Sequence, residues 1–151
     1  MSTIAEITQG VKNLILRMNG TGRYTTNIPS GHIYPITNVK TLQGTNDSTF
    51  PKVALVLDGG SDKARVGRSV DKEATYDIIM FFKKTATITA EVEDQVEQAV
   101  EDFDTAVDSD RTLAGKATQV TIEDWTTDSG AAAPLGVFYV RIKVAYRKSF
   151  N

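Results

Sequence analysis

Nine acidic side chains and no basic one fall between Glu91 and Asp110. Glu93, Glu97, Glu101 and Asp104 recur at i,i+4 and i,i+3 spacing, which lines them up along one stripe of a helix. Carboxylates grouped this way could bind calcium, supply an acid–base pair, or present a negative surface. A calcium loop of the EF-hand type needs glycine at its sixth position and glutamate at its twelfth. Counted from Asp102, those positions are Val107 and Leu113, so the motif fails. Asp/Glu pairs can support hydrolysis, but no spacing here nominates one. What remains is a surface: a solvated helix face, a contact for a basic partner, or a wall that repels phosphate and lets DNA slide past.

The opposite charge lies elsewhere. All seventeen basic residues, against the other ten acids, fall outside that window. Arg141, Lys143, Arg147 and Lys148 cluster near the C-terminus, and Lys63, Arg65, Arg68 and Lys72 lie in the glycine-containing stretch 58–72. These cations could solvate the outer face of a sheet or pair with the acidic helix inside one subunit. They could also meet that helix on a second copy, since a molecule with one acidic and one basic face can associate head to tail and close into a ring. Nucleic-acid binding through Arg141, Lys143 and Arg147 is a further reading. It lacks the interleaved aromatics of a stacking platform, because Tyr139 and Tyr146 fall on opposite faces of a strand.

Other chemistry finds little footing. His32 is the single histidine, so a metal site there would have only carboxylates to complete it. There is no cysteine, which excludes disulfides, thiolate metal sites and a cysteine nucleophile. Neither a serine elbow, a P-loop nor a dinucleotide fingerprint occurs, and Asp58-Gly59-Gly60-Ser61 reads as a plain turn. No catalytic residue, cofactor or metal is expected. The N-terminus lacks the basic and apolar regions of a signal peptide, and no window approaches 18 apolar residues, so no membrane partner is expected.

The elements that must carry these charges follow from periodicity. Ile4, Ile7, Val11, Leu14, Ile15 and Met18 mark a one-faced helix, with Thr3 and Glu6 at capping-box spacing and Asn19-Gly20 as its stop. A loop spans 19–31. His32–Lys40 reads as an edge strand limited by Pro35, and 41–51 as another loop. Lys52–Leu57 reads as a short strand ended by Asp58-Gly59-Gly60. Residues 58–72 read as a long hairpin arm or loop. Glu73–Lys83 reads as a central strand with Ala74, Tyr76, Ile78, Met80 and Phe82 on one face. Val92, Val96, Val100, Phe103 and Val107 mark a second helix with Thr89 as its expected N-cap. Ala117–Trp125 and Leu135–Tyr146 read as a hairpin joined by a loop, with Phe138, Val140, Ile142, Val144 and Tyr146 on the apolar face. The expected fold is α+β in a single domain, residues 1–151: a mainly antiparallel β-sheet with two amphipathic helices packed on one face.

This layout resembles the tail terminator proteins, also called tail-completion or minor tail proteins, of long-tailed bacteriophages. The resemblance is carried by the short N-terminal helix, the strand and turn around Val53 to Gly60, and the apolar strand Tyr76 to Phe82. It continues through the helix Glu91 to Val107 to the final strand, which ends on Val144-Ala145-Tyr146-Arg147. It implies a structural virion protein: a homo-oligomer, a hexameric ring in that family, that caps the tail tube and stops its polymerisation. The ring would present a surface to the head-closure or connector protein, and DNA would pass through without specific binding. By analogy the loop 19–31 and the arm 58–72 would be subunit or tube contacts; the candidate interface or lumen residues, taken from the charge pattern, are Glu93, Glu97, Glu101, Asp104, Arg65, Arg68, Arg141, Lys143 and Arg147. The implied location is the virion, at the tail end near the neck, after assembly in the host cytoplasm. Other phage neck, minor capsid or head-closure proteins share this size and order. The reading from a different class is a nucleic-acid-binding module built on the basic strand.

Overall fold

A computed structural model describes residues 2–35, 42–128 and 134–149. It is α+β: a five-stranded, mostly antiparallel sheet with two helices. The strands are β1 (Ile33–Tyr34), β2 (Lys52–Val66), β3 (Ser69–Lys83), β4 (Gln119–Asp128) and β5 (Leu135–Ser149). Their order in the sheet is β1-β2-β3-β5-β4, and only the short β1–β2 pairing is parallel. The helices are α1 (Ile4–Ile15) and α2 (Val92–Ser109).

α1 begins with the expected capping box: the Thr3 hydroxyl accepts from the Glu6 amide, and the Glu6 carboxylate accepts from the Thr3 amide. It ends at Ile15, one turn short of the apolar pattern. Arg17 and Met18 donate instead to Leu14 and Ile15, tightening the last turn to i→i+3 bonds. Met18 stays fully buried in that turn. α2 begins one residue after Glu91, which is its N-cap in place of the expected Thr89. The segment before the helix is turned by Thr85, whose Oγ1 accepts from the Ile88 amide at 2.9 Å. That turn leaves Thr89 outside the helix.

Both helices cover the face of the sheet carried by Tyr76, Ile78, Met80 and Phe82 of β3 and Phe138, Val140, Ile142 and Val144 of β5. All eight are buried, and they form one apolar cluster with Ile7, Val11, Leu14 and Ile15 of α1 and Val96, Ala99, Phe103 and Val107 of α2. Such burial is worth roughly 1.5–3 kcal/mol per large side chain. The Tyr76 hydroxyl shares a 2.8 Å hydrogen bond with Thr8 Oγ1, which satisfies the one polar atom that β3 pushes under α1.

Two strands run further than the sequence suggests. β2 does not stop at Asp58-Gly59-Gly60. It passes through a bulge between Leu57 and Gly60 and a second between Asp62 and Ala64, and reaches Val66 before turning at Gly67-Arg68. Gly59 has φ 107°, a conformation open to glycine, so turn chemistry here builds a bulge instead of an end. Residues 58–72 are therefore the distal half of a hairpin. β4 continues past Trp125 to Asp128. Of the expected edge strand His32–Lys40, Ile33 and Tyr34 pair with Val53 and Ala54, and residues 36–40 lie outside the described residues, as do 41 and 129–133 of the two flanking loops.

Gly136 lies directly beneath the start of α2. A Cβ there would overlap Val92 Cγ1 and sit 2.7 Å from Val96 Cγ2. Both neighbours are branched and short, so neither can swing away. Gly136→Ala is expected to cost about 1–3 kcal/mol by overpacking. Urea unfolding with an unchanged m-value checks this.

Candidate functional site

Asp58 follows Leu57 on β2 and by alternation lies on the open face of the sheet, opposite the helices. There the Arg141 guanidinium donates from Nε to Asp77 Oδ1 at 2.8 Å and from its terminal nitrogen to Asp58 Oδ2 at 2.8 Å. The Tyr139 hydroxyl also donates to Asp77 Oδ1, at 2.7 Å. Lys143 stands 3.5 Å from Glu123 and 3.9 Å from Glu73, and Arg147 Nε donates to Asp71 at 2.7 Å. The basic strand is thus compensated by carboxylates on its neighbouring strands, and not by the acidic helix. Asp77 is held below the usual carboxylate range chiefly by the hydrogen bond from Arg141, and Tyr139 is raised by its bond to Asp77. Arg65 and Arg68 are exposed at the distal end of the β2–β3 hairpin.

Eight of the nine acids between Glu91 and Asp110 fall into three sets: paired, buried and exposed. Glu91 pairs with Lys84 at 2.6 Å, Asp110 with Arg17 at 3.4 Å, and Asp108 with Arg111. Asp102 is buried at 2% exposure. Its Oδ2 accepts from the Thr25 and Thr26 amides at 3.1 and 2.7 Å, and its Oδ1 accepts from Gln98 at 3.0 Å. It staples the 19–31 loop to α2. The expected stripe of Glu93, Glu97, Glu101 and Asp104 is exposed, and among the described residues none of the four has a cation within ion-pair distance.

Trp125 is a residue that alternation misplaces. Val120 and Ile122 face α2, so a regular strand would turn Trp125 to the opposite face. A bulge between Ile122 and Asp124 shifts the register by one, setting Asp124 opposite Arg141 and Trp125 opposite Val140. Trp125 therefore stands on the helix side, 54% exposed, its ring edge-on to Phe138 at 6.3 Å between centroids. The spacing Val-x-Ile-x-x-Trp, with one residue too many, was the only signal. Between β4 and α2 lies a cleft of about 290 Å³, walled by Val100, Phe103, Ile122, Phe138 and Trp125 and rimmed by Glu101 and Asp104.

His32 lines a larger cleft of about 680 Å³ with Asp47, Asp94 and Gln98. Its Nδ1 lies 3.0 Å from the Pro51 carbonyl oxygen, so one ring nitrogen is already engaged. Among the described residues no three His, Asp or Glu side chains are grouped to hold a metal, and no helix is long and apolar enough to cross a membrane. Comparison with protein-family models and with curated proteins finds no match to this chain.

Two outcomes follow from the buried and paired carboxylates. Asp102→Ala would leave the Thr25 and Thr26 amides without their acceptor, at about 1–3 kcal/mol. Hydrogen exchange should show those two amides losing protection while the core strands keep theirs. Asp77 has its folded pKa depressed, so its stabilisation is complete above the unfolded value near 3.9 and is lost as pH falls through the folded value. Asp77→Asn is expected to lower stability at neutral pH and to flatten its decline below about pH 4. Thermal melts across pH 2–7 would read both.

Proposed function

We propose that this chain is a structural subunit of the phage tail-terminator kind, acting as a ring that caps a tail tube and offers its other side to the head connector. The reading rests on the resemblance in element order, together with the α+β fold that the resemblance leads one to expect. The observation that carries it is the uncompensated stripe on α2. Like charges at i,i+4 cost a few tenths of a kcal/mol each, and here no cation in the described chain offsets them. In a ring such a face makes a negative wall that repels phosphate and keeps passing DNA from sticking.

Nucleic-acid binding through Arg141, Lys143 and Arg147 is the weaker reading, because each of these cations already has a carboxylate partner in the sheet. Phosphate would have to displace Asp77, Glu123 and Asp71.

Electron microscopy of the purified protein mixed with polymerising tail-tube protein tests the proposal. Rings seated on tube ends and shortened tubes are expected. Tubes that grow to the same length with bare ends would overturn it.

A further inference from the structure

Four large apolar side chains stand exposed among the described residues: Ile4, Leu57, Val66 and Trp125. Two of them sit in opposite electrostatic settings. Trp125 forms one wall of the cleft against α2, under the unpaired carboxylates of Glu101 and Asp104. Val66, 56% exposed, ends β2 in the stretch Lys63–Val70, which holds three basic residues and no acidic one. The cleft is apolar with a negative rim. The hairpin end carries the exposed Val66 and, two residues on, the exposed cation Arg68, whereas Lys63 is already 3.6 Å from Glu73.

These two features cannot meet within one chain. Trp125 lies level with Val140 and so with Ile78, whereas Val66 pairs with Ser69 at the far end of the same strand β3. Nine residues of strand separate those levels, roughly 30 Å. The sheet order also puts β4 at one edge, with β2 beyond β3 and β5. Direct edge-to-edge strand pairing is disfavoured, because both strands are interrupted by bulges, at Leu57/Gly60 and Asp62/Ala64 in β2 and at Ile122/Asp124 in β4. Docking of a hairpin end into a cleft requires neither edge.

We infer that the cleft between α2 and β4 receives the β2–β3 hairpin end of a second copy of this chain, with Val66 against Trp125 and Arg68 beside Glu101 and Asp104. Because donor and acceptor lie on different patches, the contact is heterologous and propagates from copy to copy until it closes. It rests on the ring proposed above and assigns the Glu101–Asp104 end of the acidic stripe to the neighbouring subunit. An arginine held over an indole between two carboxylates gains from both cation–π attraction and ion pairing, and the second weakens with salt.

Trp125 is the only tryptophan in the sequence, so its fluorescence reports this one cleft. The test uses two full-length variants. Val66→Asp with Arg68→Glu spoils the hairpin end and keeps the tryptophan; Trp125→Ala spoils the cleft and removes it. All three positions are exposed, and circular dichroism would verify that both variants fold. The unaltered chain should associate on concentration, with its emission moving to shorter wavelength. Each variant alone should remain a monomer by light scattering. Mixed, they should form 1:1 pairs and no larger species, with the emission shift restored by a partner that has no tryptophan. The inference is overturned if the unaltered chain stays monomeric, if either variant still self-associates like it, or if mixing moves neither mass nor emission. Rings that cap tubes while this emission stays fixed would sink the contact and leave the terminator reading standing. Pairs and the emission shift without capping would do the reverse.

Discussion

The ladder between β3 and β5 is the constraint on which the rest depends. It runs without a bulge from Ser69↔Ser149 to Lys83↔Leu135. The side chains alternate between two faces: one is apolar and carries both helices, and the other carries the Asp58–Arg141–Asp77 group, with Ile79, Phe81 and Val137 toward its Lys83–Leu135 end. A one-residue slip would push Asp77 and Arg141 beneath α1 and α2 and expose Ile78 and Ile142. Register is therefore enforced twice, by burial on one face and by ion pairs on the other. Exposed pairs of this kind add little stability individually, but they penalise the slipped alternative.

Irregularity is confined to the flanking strands. The bulges of β2 and β4 are where surfaces are aimed. The one in β4 turns Trp125 toward α2, and those in β2 bend the distal half of the hairpin. The bulge in β4 also disturbs an edge of the sheet, which a regular 10-residue strand would leave open to pairing with other chains, while β1 lies beside β2 at the other edge. What the molecule offers outward is consequently not an edge. It offers an acidic helix face, a cleft with a tryptophan, and a hairpin end.

Much of this was legible in the sequence, for a physical reason. Where burial is one-sided, periodicity records it: the faces of Tyr76–Phe82 and Phe138–Tyr146 and the stripe of α1 follow directly from spacing. The capping box of Thr3 and Glu6 is local and was equally visible. Bulges and long-range polar contacts were not. Asp58-Gly59-Gly60 has the composition of a turn whether the strand ends there or only bends. Asp102 looks like its eight acidic neighbours, and its burial depends on amides of Thr25 and Thr26, more than seventy positions away. The pairing of Arg141 with Asp77 depends on the register of two strands separated by a whole helix. Of the nine side chains nominated for a partner, three proved to be neutralised within the sheet, while the four on α2 remained open.

The central claim is that this chain works through contacts between copies, governed by charge. Sedimentation velocity of the unaltered protein over a range of concentrations, at low and at high salt, tests it most directly. One discrete assembly several times the 16.5 kDa chain mass, dissociating as salt is raised, is the expected result. A single 16.5 kDa species at every concentration and salt would contradict it.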